Sequence, residues 1–320
     1  MAQINKLKDC IVEKVFNNTA NLFQHDDYII IGNNMSGKSR LIKKLVTTCI
    51  DKEVYFIDTM NRTIPAENPT GKFDEIQNIK TILEARINVK NFNKNDVITD
   101  IHTNKLILKE LIENANKYNA IITGYLSKEF KVIEEQEQIT EQFKGNTIYK
   151  YKIGENIYTE LSSGLQAILR IIIEVIYAVE NNCKFIIIEE IDAYLDNSNS
   201  MRIIEFLKNT YYNVVFLITT HSADVILKAN NFNIFKIDGD KYHYHDSNDM
   251  DDLNYINRTL FNSINRVTND ADRILANYMR RIASNGKLEE YELESIKSLN
   301  NLTLRQAVLK KYLLGWADES

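Results

Sequence analysis

Gly32-Asn33-Asn34-Met35-Ser36-Gly37-Lys38-Ser39 forms a Gly-x4-Gly-Lys-Ser loop between an apolar run and an amphipathic segment. The run before it, Tyr28-Ile29-Ile30-Ile31, reads as a buried strand, and Arg40 to Ile50 carries Leu41, Leu45, Val46 and Cys49 at helical spacing. Strand, loop and helix thus occur in the order a phosphate cradle needs. Backbone N–H groups of the loop and the positive end of the helix suit phosphates, Lys38 is placed for the β and γ phosphates of a nucleoside triphosphate, and Ser39 for Mg2+. With only 10 glycines in 320 residues, a chance match explains the loop poorly.

Three further stretches lie downstream. Leu161-Ser162-Ser163-Gly164-Leu165-Gln166 opens a helix whose apolar face runs through Ile168, Ile171, Ile172, Val175, Ile176 and Val179. Taken alone it fits an ordinary Ser-capped helix better than an anion site, although unpaired N–H groups at such an end can hold an anion. Phe185-Ile186-Ile187-Ile188 ends in Glu189-Glu190, two carboxylates at the exit of a buried strand, where an open α/β sheet places its ligands. A solvated acidic turn is the plain alternative. Beside a phosphate loop, however, Glu189 is suited to the metal shell and Glu190 to polarising a water. Val214 to Ile218 is a third strand, and it ends at Thr219-Thr220-His221-Ser222. His221 then lies at the same sheet edge, able to sense a γ-phosphate, while a His after a strand alone is more often a packing or capping residue.

Composition bounds the setting. The chain is long enough for a full core, and Cys10, Cys49 and Cys183 are odd in number and far apart, which suggests reduced thiols and a cytoplasmic protein. The N-terminus lacks a signal-peptide pattern and no apolar run is long enough to span a bilayer, so no membrane insertion is expected. A net charge of −5 gives no global attraction to nucleic acid, so any such contact needs a local basic patch.

The expected fold class is α/β, a mostly parallel sheet flanked by helices, with a helical insertion and a helical C-terminal unit. The expected parts are a domain over 1–249, with an N-terminal helix over 4–23 and an insertion over about 73–143, and a helical unit over 250–320. Within the first, Val54 to Ile57 reads as a strand, 61–72 as a loop holding Pro65 and Pro69, and 147–158 as a hairpin turning at 154–156. His243 and His245 near Asp249, Asp251 and Asp252 fit a solvated hairpin better than a metal site. Arg266, Arg273 and Arg280 recur every seven residues and fit a packing seam better than a backbone-binding stripe, and Thr303 to Trp316 reads as a last helix.

Taken together, the motifs resemble the ABC-type ATPase superfamily, in particular its soluble RecF-like, SMC-like and OLD-like branch of AAA family ATPases. Gly32 to Ser39 looks like Walker A, Leu161 to Gln166 like the signature in its LSSGxQ form, and Phe185 to Glu190 like Walker B with the catalytic Glu. Ala193-Tyr194-Leu195-Asp196 looks like the D-loop and His221 like the switch histidine, and the spacings between these motifs are similar to the family's. Ile188 to Leu195 is similar to the Glu-Glu-Pro-Glu-Ala-His-Leu form of the OLD-like branch, and Tyr55 to Arg62 to its strand-plus-Arg element. No Gln stands plainly after the second strand; Asn61 and Gln77 are the candidates. The aromatic that stacks on adenine is unassigned, and a helix stands where the family has antiparallel N-terminal strands.

The resemblance implies an ABC-ATPase head that binds ATP and Mg2+ and hydrolyses ATP. Gly32, Asn33, Asn34, Met35, Ser36, Gly37, Lys38, Ser39 and Arg40 would hold nucleotide, Ser39 and Glu189 the metal, and Glu190 and His221 would act in catalysis. It further implies a head-to-tail homodimer in which Ser162, Ser163, Gly164 and Asp196 complete the partner's ATP site. A protein effector, DNA-linked or defensive, and a nucleic acid are the expected partners. An ATPase subunit of a membrane transporter and an ATP-switched scaffold with little turnover are the alternatives. Residues 250–320 lack a Toprim-like acidic cluster, so nuclease activity is not expected.

Overall fold

The computed structural model describes residues 2–17, 24–33, 35–58, 78–87, 110–140, 143–250, 253–261, 270–283, 289–299, 302 and 304–319. Six strands form the central sheet: β1 (Asp27–Ile31), β2 (Val54–Ile57), β6 (Phe185–Ile188), β7 (Val215–Thr219), β8 (Phe232–Asp238) and β9 (Lys241–Asp246). Their order is β2-β6-β7-β1-β8-β9, parallel throughout except for the β8–β9 hairpin at one edge. Every residue of β1, β2 and β6 is buried, as continuous apolar runs covered on both faces require.

The two faces are filled by alternate residues. Tyr28, Ile30, Phe56, Phe185, Ile187, Leu217 and Phe235 share one cluster with Ile4, Leu7 and Ile11 of α1 (Ala2–Asn17) and Leu41, Ile42, Leu45 and Val46 of α2 (Lys38–Cys49). Helix α1 therefore packs on the core as its periodicity predicts, and residues 18–23 of the expected helix lie outside the described residues. On the opposite face Tyr55 meets Tyr177 of α5 (Ser163–Glu180), ring centroids 5.9 Å apart.

The expected helical insertion is helical only in part. Among its described residues are α3 (Ile79–Ile87) and α4 (Ala115–Leu126), but Phe130–Thr140 forms a strand, β3. It pairs with β4 (Phe143–Ile153), and β4 pairs with β5 (Asn156–Ile157), making a separate antiparallel sheet. The pairing Phe130↔Ile153 buries both side chains, and Glu135 reaches diagonally to Lys150, Nζ to Oε2 2.6 Å. Cross-strand contacts of this kind override the helix propensity of the Glu-rich run. Residues 61–72, with Pro65 and Pro69, the Gln-like candidates Asn61 and Gln77, and the insertion's residues 73–77 and 88–109 lie outside the described residues.

The chain divides into two compact units between Ile256 and Asn257, inside α8 (Leu253–Thr259) rather than at residue 250. In the second unit α9 (Asp270–Ala283), α10 (Glu290–Ser298) and α11 (Leu304–Glu319) bury Leu275, Ile296 and Leu313 against one another. Arg266, Asp251 and Asp252 lie outside the described residues. His243 and His245 sit on β9 of the β8–β9 hairpin, and no cluster of three or more metal-ligating side chains occurs among the described residues.

Candidate nucleotide site

The site is assembled at the carboxyl ends of β1, β6 and β7, which are neighbours in the sheet although distant in sequence. The loop after β1 is drawn tightly over the strand edge. A Cβ on Gly32 would stand 2.4 Å from Ser36 Oγ and 2.6 Å from the Ile237 carbonyl, and its φ of 155° is one that side chains rarely adopt, so only glycine fits. Helix α2 makes its first bond from Leu41 N to Gly37 O, 3.0 Å, which leaves the N–H groups of Lys38, Ser39 and Arg40 for an incoming anion. Ser36 Oγ is buried and has no hydrogen-bond partner among the described residues, a donor open to an acceptor.

Lys38 is buried, and its Nζ donates to the carbonyls of Gly32 at 2.7 Å and Asn33 at 3.2 Å. Burial pulls its pKa below the ordinary lysine value, while Glu190, Glu189 and Asp192 pull it back. A cavity of about 630 Å³ opens here, lined by Met35 to Arg40 together with Glu190, Gly239 and Asp240. Asn34 lies outside the described residues.

The two adjacent carboxylates have different surroundings. Glu189 is 4% exposed, and Ser39 Oγ donates to its Oε1 at 2.7 Å. Burial pushes its carboxyl up to about 7 against that hydrogen bond, and the charges of Glu190 and Asp58 add to the rise. Glu190 is half-buried and follows a left-handed turn, φ 49°, with its N–H donating to Thr219 Oγ1 at 2.7 Å. Its Oε1 lies 3.7 Å from His221 Nε2, and the polar interaction with His221 holds its carboxyl below the usual range. A non-glycine residue held in that backbone region costs about 1 kcal/mol or more, typical of side chains aimed at a reacting centre. Ser39 and Glu189 together offer hydroxyl and carboxylate oxygens, the hard donors that suit Mg2+.

The elevated Glu189 carboxyl has a consequence for stability. The folded protein holds a proton that the unfolded chain releases near 4.5, so stability falls as pH rises from there to about 7. Glu189→Gln is therefore expected to stabilise the nucleotide-free protein by roughly 2–3 kcal/mol at pH 8, with the gain vanishing below about pH 5. Urea melts of both proteins across that range check this, and a pH-independent difference would contradict it.

The signature-like residues are not part of the cavity lining. Ser162 caps α5 by accepting from Leu165 N at 3.4 Å, Ser163 is exposed, and Gly164 packs against the neighbouring turn. A Cβ on Gly164 would lie 3.0 Å from the Tyr194 carbonyl, which accounts for the glycine without reference to nucleotide. Asp196 caps α6 (Asn197–Thr210), accepting from Asn199 N at 2.7 Å, and is likewise absent from the lining. Residues missed from sequence are Thr219, Asp192, whose Oδ2 accepts from His221 N at 3.1 Å, and the Gly239-Asp240 turn that closes the cavity. Thr219 and Asp192 adjoin recognised motifs; nothing in the sequence marks the turn as part of a site.

Residues 112–228 match a family model described as "AAA domain, putative AbiEii toxin, Type IV TA system". That stretch contains the signature-like helix, the Glu189-Glu190 strand end and His221, and the phosphate loop precedes it in the same sheet. Over residues 112–228 the chain is similar to this AAA domain family. No curated protein matches the chain. Among solved structures similar to this chain is an Smc head bound to the C-winged helix domain of ScpA, 13% identical, with 70% of this chain aligned to 91% of that one at a TM-score of 0.39. CbiO1 from Clostridium perfringens, part of the ABC transporter complex cbiONQ, is 13% identical over 75% of this chain and 86% of its own, TM-score 0.38. The ATP-binding cassette MJ0796, in a post-hydrolysis dimer bound to ADP and Pi, is 12% identical over 69% and 87%, TM-score 0.35.

Proposed function

We propose that the chain is an ABC-type ATPase, working as a head-to-tail pair of identical chains that closes around ATP and Mg2+ and hydrolyses the ATP, and that closure drives a DNA-linked or defence effector. The observation that carries the pairing is the exposed start of α5: Ser162, which caps the helix, and Ser163 face solvent and are absent from their own chain's nucleotide cavity. Such an end is a ready anion site, and a second copy can present it to the γ-phosphate. Within each site Lys38 and the free N–H groups of α2 bind the phosphates. Glu190, ionised at neutral pH, accepts a proton from the attacking water, and His221 beside it steadies both Glu190 and the γ-phosphate. Ser39 and Glu189 are the residues to hold Mg2+, which when bound neutralises charge on the β and γ phosphates.

Support for a partner-driving role over a transporter subunit comes from the LSSGxQ signature and the Glu-Glu strand end. Subunit mixing tests the shared site. Lys38→Ala removes phosphate binding from one chain's loop; Ser163→Asp places a carboxylate at an exposed helix start, where it suits the helix but repels phosphate. Each variant alone is expected to be inactive. Mixed in equal amounts they are expected to recover about a quarter of the parent rate, since half of the pairs are mixed and each mixed pair keeps one intact site. A mixture as inactive as its components overturns the shared site. Recovery of a membrane permease or a transported solute as activator overturns the effector assignment.

A further inference from the structure

We propose that the groove between α1 and α2 binds the phosphodiester backbone of a nucleic-acid strand. The groove encloses about 550 Å³ and is lined by Lys8 of α1 and Arg40, Lys43 and Lys44 of α2, with Asp9 the one carboxylate among its lining residues. Positions 40, 43 and 44 fall on one side of α2, while Leu41, Ile42, Leu45 and Val46 bury the other side in the core.

This placement is unfavourable within the helix itself. Cations three and four residues apart repel one another, and α2 has no acidic residue in its first turn, where Lys38 and Arg40 oppose the helix dipole. Compensation is local: Lys8 Nζ is 2.8 Å from Asp9, Lys44 donates to Asn5 Oδ1 at 2.7 Å, and Arg40 pairs with Asp240 at 2.5 Å. A protein of net charge −5 has thus gathered four cations along one open channel, a patch that attracts polyanions the chain as a whole repels.

The chemistry favours repeated phosphates. Three of the four cations are lysines, mobile point charges that follow a backbone without demanding one geometry, and the single guanidinium is already engaged by Asp240. The lining contains no aromatic ring, so recognition would be by charge and indifferent to base sequence. Arg40 is also the wall shared with the nucleotide cavity, and Gly239, whose carbonyl accepts from Arg40 at 3.0 Å, lines that cavity together with Asp240. A strand that draws Arg40 toward the groove therefore alters the rim of the ATP site; this coupling, unlike the binding itself, rests on the ATPase reading above.

The test uses the full-length protein and a fluorescent single-stranded DNA of about 20 nucleotides, longer than the roughly 4–16 nucleotides that such grooves cover. Anisotropy titrations between about 50 and 200 mM salt are expected to give a log–log slope of about −2 to −3, from three or four phosphate contacts at about 0.7 each. Lys8→Glu/Lys43→Glu/Lys44→Glu is expected to weaken binding at least about tenfold while keeping the parent's ATP affinity and melting temperature. Lys8→Gln/Lys43→Gln/Lys44→Gln, which adds no charge, is expected to fall between the two and covers the event that the reversal fails to fold. Unchanged DNA affinity in the folded variants overturns the proposal. So does a polyglutamate peptide that competes as well as an unlabelled oligonucleotide, which would mark a protein surface, or tripolyphosphate that competes as well at equal charge, which would mark a small-anion site. DNA is further expected to change ATP turnover in the parent and not in the reversal variant. If the parent shows no turnover at all, the ATPase reading fails while the binding result stands by itself.

Discussion

Glu190→Gln is expected to lower steady-state ATP turnover by at least about 100-fold, the usual loss when a positioned general base is removed, while leaving nucleotide affinity within a few-fold of the parent's. The amide has the carboxylate's shape, so the left-handed turn at Glu190 and the bond from its N–H to Thr219 Oγ1 persist, and the phosphate-binding loop does not depend on the side chain. What disappears is the charge that accepts a proton from water beside His221. Bound ATP then accumulates, and light scattering is expected to show ATP-dependent pairs that outlast those of the parent. Lys38→Ala is the opposite case, because it removes the ammonium that the loop has closed around and with it the affinity for triphosphate. Phosphate release and fluorescent-nucleotide titration separate the two variants. Turnover of Glu190→Gln at the parent rate would remove Glu190 from its assigned role.

The parts of this site that were legible in the sequence are those written as contiguous local patterns. Gly32 to Ser39 announces itself because the loop's geometry admits few residue types, and the four strands β1, β2, β6 and β7 are apolar runs, whereas β8 was not read as a strand. The strand β3 was not legible. Glu134-Glu135-Gln136 has helix propensity, and the register with β4 that makes it a strand is a fact about residues more than ten positions away. The helix α10 falls within the helical unit expected over 250–320, but its bounds were not legible: its start carries Glu289 where Ser or Asp is usual, with Glu292 accepting from the Glu289 N–H at 2.8 Å. Ser162 to Gly164 illustrates a third limit. The motif was readable, but its separation from the cavity of its own chain appears only in three dimensions, and that separation bears most directly on how the protein works.

The largest stability effect expected is from Glu174, a residue the sequence does not single out. Its carboxylate on α5 is 4% exposed and lies 2.7 Å from Arg86 Nη1 and 2.7 Å from Arg170 Nε, while the Tyr55 hydroxyl donates to it at 3.0 Å. Arg170 extends the cluster to Asp58 at 3.1 Å, at the end of β2, and Arg86 of α3 donates to the Phe56 carbonyl. The helix that begins at Ser163 is thereby tied to the strand after which the nucleotide-sensing segment is expected. Glu174→Ala leaves two guanidinium groups buried with their shared counter-ion gone, and is expected to destabilise the fold by about 3–5 kcal/mol in urea melts. The same cluster fixes an acid response. Burial by itself would raise the Glu174 carboxyl, but Arg86 and Arg170 outweigh it and hold it down to about 2, so its stabilising contribution is full above the unfolded value of 4.5 and lost as pH falls toward 2. Glu174→Gln keeps the volume but not the charge, and is expected to lose stability at neutral pH and to show a flatter decline below pH 4.5. A triple replacement of Arg86, Arg170 and Glu174 by Met is expected to recover part of the loss, because apolar packing removes the desolvation cost on both sides. If Glu174→Gln melts within about 1 kcal/mol of the parent at neutral pH, the carboxylate does not hold the two guanidiniums as described, and the tie between α5 and β2 must be sought elsewhere.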